Sequence, residues 1–232
     1  MSWVNLVRQF FNTGPLLNYD RFTSPLPKKN IREYTADDYE ACSELYRLTD
    51  NGRFPDGYLP IFQEYLSDGN TLILVIEDHG KIVGTGGIAL STLSDELTYA
   101  HLAFGLIHPD YQRQGLGTLL FCARLAYLSA SRHWMIGITS AGTGTEEFYQ
   151  KLGFSFISRV EDLKGVFLDN YEVKALGRDI ARLKTLVIHS GSVSELNFNK
   201  ALPNKDCREE YEAQQLHDYY EFCPQQDINY QE

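Results

Sequence analysis

One stretch limits the possible folds of this chain more than any other. From His108 to Thr118 it reads His-Pro-Asp-Tyr-Gln-Arg-Gln-Gly-Leu-Gly-Thr. A β-rich run, about Leu97 to His108, leads into it, and an apolar helical run, Leu116 to about Ser129, leads out. In that helical run Leu119, Leu120, Ala123 and Tyr127 share one face. A strand that ends, turns through glycines and enters a helix at once leaves several N–H groups without intrahelical acceptors. They face outward at the positive end of the helix dipole, where a pyrophosphate is the natural occupant. Gly115 and Gly117 remove Cβ atoms where phosphate oxygens must come close.

The surrounding pattern is α/β. Ile31 to Tyr34 reads as a short strand, and Thr35 caps a helix through about Leu48. Asn51-Gly52 and Pro55-Asp56-Gly57 form a loop before a second helix, Tyr58 to Leu66. Thr71 to Ile76 and Lys81 to Leu90 read as a hairpin turning at His79-Gly80. Past the central helix, Trp134 to Thr139 is a strand, Thr145 caps a short helix to Leu152, and Gly153 stops it. Phe154 to Val160 and Val166 to Val173 are closing strands. Three segments follow from this: an N-terminal extension over 1–30, a domain over 31–176, and a C-terminal extension over 177–232. In the first, Trp3 to Phe11 suggests a short amphipathic helix on a packing arm. In the last, Arg178 to Ile188 reads as helix then strand, and Glu209 to Tyr219 as a polar helix.

Charge and cysteine usage exclude several partners. The net charge is −10, and the segment from Asp206 to Glu232 alone carries −7. An acidic tail on a nearly neutral body repels a phosphate backbone, so no nucleic-acid partner is expected. No run approaches the ~18 apolar residues of a membrane span, so no membrane partner is expected either. The start lacks a basic region followed by an apolar one, which points to a cytoplasmic protein. Cys42, Cys122, Cys207 and Cys223 form no C-x-x-C pair, and no histidine lies at zinc-like spacing. They read as small thiols in a reducing compartment, and no metal is expected.

Three phosphate-binding readings compete for the glycine turn. A nucleotide-hydrolase loop needs Lys before Ser/Thr, but Gly117 precedes Thr118. A dinucleotide fold needs a third glycine, and none follows Gly117 at that spacing. Coenzyme A remains. HPDYQRQGLGTLL closely resembles the acetyl-CoA-binding motif Q/R-x-x-G-x-G/A of the GNAT superfamily of N-acetyltransferases, with Gln112, Gly115 and Gly117 at its defined positions. Downstream, Phe148-Tyr-Gln-Lys-Leu-Gly-Phe154 looks like the family's FYxKxGF. The resemblance spans roughly 31–176 and implies the family's α/β (α+β) fold, a mixed central sheet flanked by helices.

What the resemblance implies can be carried over residue by residue. The strand before the loop splays from its neighbour, which sets Gly105, Leu106 and Ile107 along the pantetheine arm. Gln112, Arg113, Gln114, Gly115, Leu116, Gly117 and Thr118 then hold the pyrophosphate, mainly through backbone amides. The reaction is attack of an amine on the thioester of acetyl-CoA, the cosubstrate. Tyr149 is the candidate acid for the departing thiolate, since a phenol of reference pKa ~10 is protonated at neutral pH. The family's strand glutamate falls on His101, the candidate base, with Glu96 as the alternative. The family's loop asparagine falls on Gly142, with Ser140 and Thr143 as alternative donors.

Acceptor recognition is expected from 51–66, where Arg53, Phe54, Asp56, Tyr58 and Tyr65 lie, and the acceptor is an amine of unspecified class. Gly84, Gly86 and Gly87 weaken their strand and mark a bulge or a close ligand approach, and Gly86 and Gly87 could widen the channel for a longer acyl group. The tail, with Glu209, Glu210, Tyr211, Glu212, Tyr219, Tyr220 and Glu221, reads as a packed helix or a partner-binding segment, and a homodimer is compatible with it. The competing function is a non-catalytic coenzyme-binding domain of the same fold.

Overall fold

The computed structural model describes residues 15–22, 25–50, 54–141, 144–162, 165–191 and 196–213. Among the described residues, seven strands form the main path of one mixed sheet: β1 (Asn30–Glu33), β2 (Leu72–Asp78), β3 (Lys81–Thr92), β4 (Thr98–Ile107), β5 (Trp134–Ser140), β6 (Ser155–Glu161) and β7 (Phe167–Ala175). Their spatial order is β1-β2-β3-β4-β5-β7-β6. Neighbours on this path are antiparallel except β4 and β5, which run parallel. A parallel pair needs a crossover, and the helix after the glycine turn supplies it.

Among the described residues, five α-helices cover the two faces. On one lie α1 (Tyr39–Asp50) and α2 (Tyr58–Ser67), which bury Cys42, Leu45, Tyr46, Phe62 and Tyr65 against Ile73, Val75 and Leu106 of the sheet. On the other lie α3 (Leu116–Leu125) and α5 (Gly177–His189), packed with short α4 (Glu146–Lys151) over Leu74, Leu102, Ile136 and Val173. Burial on both faces explains the near-continuous apolar runs of β2 and β5. Among the described residues, no helix is long and apolar enough to cross a membrane.

The extensions are joined to this sheet. Leu17 donates its amide to Lys174 at 2.9 Å and the Lys174 amide donates to Pro15 at 2.7 Å, continuing the sheet past the end of β6. Phe22 then stacks on Phe121 of α3, ring centres 5.9 Å apart. The Trp3–Phe11 segment lies outside the described residues. At the other end, Arg178 to Ile188 is helix throughout, not helix then strand. Ile180, Leu183 and Val187 fall on one helical face and are fully buried in the main core, and this burial decides the conformation. A strand that the pattern did not show, β8 (Asn204–Asp206), pairs in parallel with Leu90–Thr92 of β3. A helical stretch follows at 208–213, and the rest of the tail lies outside the described residues.

Candidate active site

The site grows from a gap between β4 and β5. Their ladder runs from Tyr99↔Met135 to Leu102↔Ile138 and stops there, although β4 continues to Ile107. From Ala103 onward, among the described residues, β4 has a strand partner on its β3 side alone. The same stretch carries a bulge, with Phe104 and Gly105 facing the single Gly86 between the pairs Gly87↔Ala103 and Thr85↔Leu106. Phe104 sits at φ 42°, a left-handed conformation rare for an aromatic residue and held here by the bulge. Its ring is locked between Phe62 (5.1 Å) and Tyr65 (4.8 Å). Gly105 is exposed although it lies mid-sheet, so the wedge opens to the outside at that residue. Leu106 is buried and Ile107 half-buried, which leaves their backbone as the part facing the gap.

Directly beyond β4 the turn into α3 forms a cradle. Arg113 (φ 62°) and Gly115 (φ 81°) both take left-handed conformations, which fan out successive amides. Among the described residues, none of the amides from Arg113 to Thr118 donates to a protein acceptor, and α3 has no side-chain cap. A Cβ on Gly117 would meet only Phe148 carbons, at 3.9 Å, so the space beside the helix start is clear. The side chains of Gln112 and Gln114 fold back onto the loop: Gln112 Nε2 donates to the Ile107 carbonyl at 3.1 Å and Gln114 Nε2, at the surface, to that of Asp110 at 2.9 Å. They brace the loop, and Leu116 is buried beneath it. Arg113 is exposed, and Thr118 is half-buried. Pro27, from the N-terminal arm, borders Gly115, its Cδ 3.3 Å from where a Cβ would stand.

Tyr149 enters the wedge from α4. Its ring packs edge-on against Phe121, Phe148 and Phe154, and its Oη lies 3.3 Å from the missing Cβ of Gly105. A second polar group reaches the same point. Arg124, on α3, is 1% exposed, and its Nη2 lies 3.5 Å from the same missing Cβ. Its guanidinium donates to backbone carbonyls alone: Leu120 at 3.4 Å, Gly87 at 3.4 Å and Ala103 at 3.5 Å. Among the described residues, no carboxylate comes within ion-pair distance of it. An arginine inside an apolar run, four residues after Leu120 on a helix buried all round, is the sequence signal that marks this position.

His101 lies on β4 two residues before the gap, on the α1–α2 face with Tyr99. Burial and then the nearby Arg124 charge hold its imidazole below the ordinary histidine value, so it is neutral at pH 7. Glu96 is exposed in the turn joining β3 to β4, about 30 Å of extended strand from Gly105, and the fold does not bring it to the site. Gly137 of β5 stands between His101 and Glu172 of β7 in cross-strand register. Because Gly137 has no side chain, the Tyr99 hydroxyl crosses it and donates to Glu172 at 3.1 Å. On the same face the Tyr58 hydroxyl donates to Asp162 at 2.5 Å, joining the start of α2 to the β6–β7 loop. Burial and this carboxylate push the Tyr58 phenol up to about 12. Of the other acceptor candidates, Phe54 stacks on Tyr46 at 4.7 Å, Asp56 is exposed in its turn, and Tyr65 is buried with its hydroxyl unpaired. Arg53, Gly142 and Thr143 lie outside the described residues, and the Ser140 hydroxyl donates to Glu146.

The two strand glycines do not widen a channel. A Cβ on Gly86 would meet Leu120 at 3.2 Å and Arg124 Nη1 at 3.3 Å, and one on Gly87 would collide with Tyr65 and Thr71. They make room for side chains of the protein itself. Among the described residues, no group of three or more His, Cys, Asp or Glu could hold a metal ion. Cys42 and Cys122 are buried free thiols and Cys207 is half-buried; burial pushes Cys42 up to about 12, which leaves it inert.

Residues 39–154 match the acetyltransferase (GNAT) family. A structure from Desulfovibrio desulfuricans, described as an acetyltransferase of that family, superposes with a TM-score of 0.51 at 14% identity, over 64% of this chain and 99% of that one. Smu.2055 from Streptococcus mutans is 24% identical, with a TM-score of 0.47 over 62% and 97% of the two chains. The ribosomal-protein-S18-alanine N-acetyltransferase of Escherichia coli is 18% identical, with a TM-score of 0.47 over 63% and 93%. No curated protein matches the chain in sequence.

Proposed function

The chain belongs to the GNAT family of acetyltransferases, and on that premise we propose that it moves an acetyl group from acetyl-CoA to a primary amine by direct attack on the thioester. The observation that carries this reading is the cradle of acceptor-less amides from Arg113 to Thr118, set against the unpaired half of β4. The residues present fit the coenzyme. Free amides at a helix start suit a pyrophosphate, and backbone groups from Ala103 to Ile107 suit the amides of a pantetheine arm. When bound, the thioester supplies the acyl group and the thiol leaving group.

The side chains then divide the proton traffic. His101, neutral at pH 7, takes a proton from the attacking amine, through water given its place two residues before the gap. The bulge at Phe104-Gly105 frees a β4 amide to stabilise the carbonyl oxygen as charge develops on it. Tyr149 hands its proton to the departing sulfur. An amine acceptor is supported by the carboxylates of the α1–α2 face, Glu172 and Asp162, which lie on the side of the sheet that His101 serves.

The test is thiol release from acetyl-CoA with a panel of amines, alongside coenzyme titration by calorimetry. Tyr149→Phe is expected to cut kcat by about 10²-fold with coenzyme affinity intact. Because the His101 value is depressed, the acid limb of kcat/KM is expected below pH ~6.5, and His101→Ala should remove that limb. A second reading, a coenzyme-binding domain without catalysis, is favoured by His101 and Gly142 standing where the resemblance expects glutamate and asparagine. It requires tight coenzyme binding with turnover indifferent to both substitutions.

A further inference from the structure

The acyl-transfer reading leaves Arg124 without a role. A guanidinium carries five N–H donors, and here three long contacts to carbonyls are all that the described residues offer it. Burying such a cation without an anion is unfavourable, and a leucine or methionine would fill the same space more favourably. The surroundings are nevertheless shaped to admit it. Gly86 and Gly105 supply the missing Cβ volume that its two terminal nitrogens approach, at 3.3 Å and 3.5 Å respectively. The point at Gly105 is the one that Tyr149 Oη approaches to 3.3 Å, at the open wedge. A buried cation and a phenolic oxygen therefore converge on one spot of the splayed strand.

We propose that Arg124 is a positioning residue for the leaving-group step, acting through Tyr149 by stabilising the negative charge that develops as the phenol gives up its proton. The inference rests on the acetyl-transfer reading. In the step, the amine nitrogen forms its bond to the carbonyl carbon and the C–S bond breaks with its electron pair going to sulfur. The Tyr149 proton passes to that sulfur, and the surplus amine proton leaves through His101. The phenolate oxygen, briefly negative, is then reprotonated from solvent. Throughout, the guanidinium supplies the counter-charge that the protein otherwise lacks there.

Other charges around Tyr149 are few. Phe121, Phe148 and Phe154 pack on its ring and carry none. On its own helix Glu146 is engaged by Ser140, and Glu147 by Lys151 at 2.5 Å. From β4, His101 is neutral at the working pH, itself held so in part by Arg124.

The experiment compares full-length wild type with Arg124→Gln, which keeps hydrogen-bonding ability but not charge, and Arg124→Lys, which keeps charge. Wild-type coenzyme titration and turnover come first, and no binding there refutes the acetyl-transfer reading itself. With binding and turnover established, Arg124→Gln is expected to lower kcat by about 10–100-fold with coenzyme affinity within about threefold of wild type. Combined with Tyr149→Phe it should lose no more than about a further threefold, because the two act as a unit. Arg124→Lys, which keeps the charge, should hold kcat within about threefold of wild type. An unchanged kcat in Arg124→Gln overturns the proposal, as does a fully multiplicative loss in the double variant. If the glutamine variant does not fold, a folded lysine variant whose kcat falls by more than about tenfold overturns it equally. A wild-type preference for succinyl-CoA over acetyl-CoA that vanishes in Arg124→Gln would also overturn it, by assigning the guanidinium to the acyl chain.

Discussion

Two helix starts in this protein answer the same physical demand in opposite ways. The entry to α1 is sealed from within. Asp38 takes hydrogen bonds from the Thr35 amide at 2.8 Å and hydroxyl at 3.1 Å, and Arg32 clamps it with two more at 2.7 and 2.8 Å. Asp37 and Asp38 add negative charge where the dipole favours it. The entry to α3 has Gly115 as its cap, no acid in its first turn and no side-chain cap bond. Where the chain supplies its own anion, the helix start is structural. Where it withholds one beside an open wedge, the anion must come from a ligand.

The sharpest way to break the contrast is to give α3 an anion of its own. Gly117→Asp has room for its side chain, so it should fold as wild type does and weaken coenzyme binding by more than about 100-fold, read by calorimetry. Wild-type affinity in that variant would sink the assignment of the cradle. Next in size, unsealing α1 by Asp38→Ala removes the bidentate partner of Arg32, which keeps Glu77, and should cost about 1–2 kcal/mol in denaturant unfolding, with coenzyme affinity unaltered. The same pair sets a pH dependence. Arg32, chiefly, and the Thr35 bonds hold the Asp38 carboxyl below the ordinary aspartate range. Its stabilisation is therefore present above the unfolded value of ~3.9 and is lost as pH falls through the lowered one. An acid titration of wild type against Asp38→Asn should show that loss in wild type alone. The smallest effect should come from Gln114→Glu, a charge beside the cradle but not in it, weakening coenzyme binding about two- to fivefold.

Much of this was open to a reader of the sequence. Strand alternation, helix periodicity and caps place nearly every element from 31 to 176, because each rule is local. The cradle was legible because Gly115 and Gly117 act through what they lack. The departures share one cause, which is that they depend on a neighbour far along the chain. Phe104 takes φ 42° because Gly86, eighteen positions earlier, leaves a strand one residue short opposite it. Gly86 and Gly87 looked like a widened channel because the residues that fill their space, Arg124 and Tyr65, come from different helices. Arg124 was hidden by its apolar neighbours, and Glu172 became noticeable only when Gly137 was found to open the way from Tyr99.

The three-residue strand β8 has a consequence for handling the protein. β3 outruns β2, whose last partner on it is Ile88, so Leu90 to Thr92 would present a naked backbone margin were Asn204 to Asp206 not laid along it. Unclaimed strand margins recruit other chains. Trimming the polypeptide ahead of Asn204 is therefore expected to promote edge-to-edge association, read as an earlier elution on size exclusion than the full chain shows.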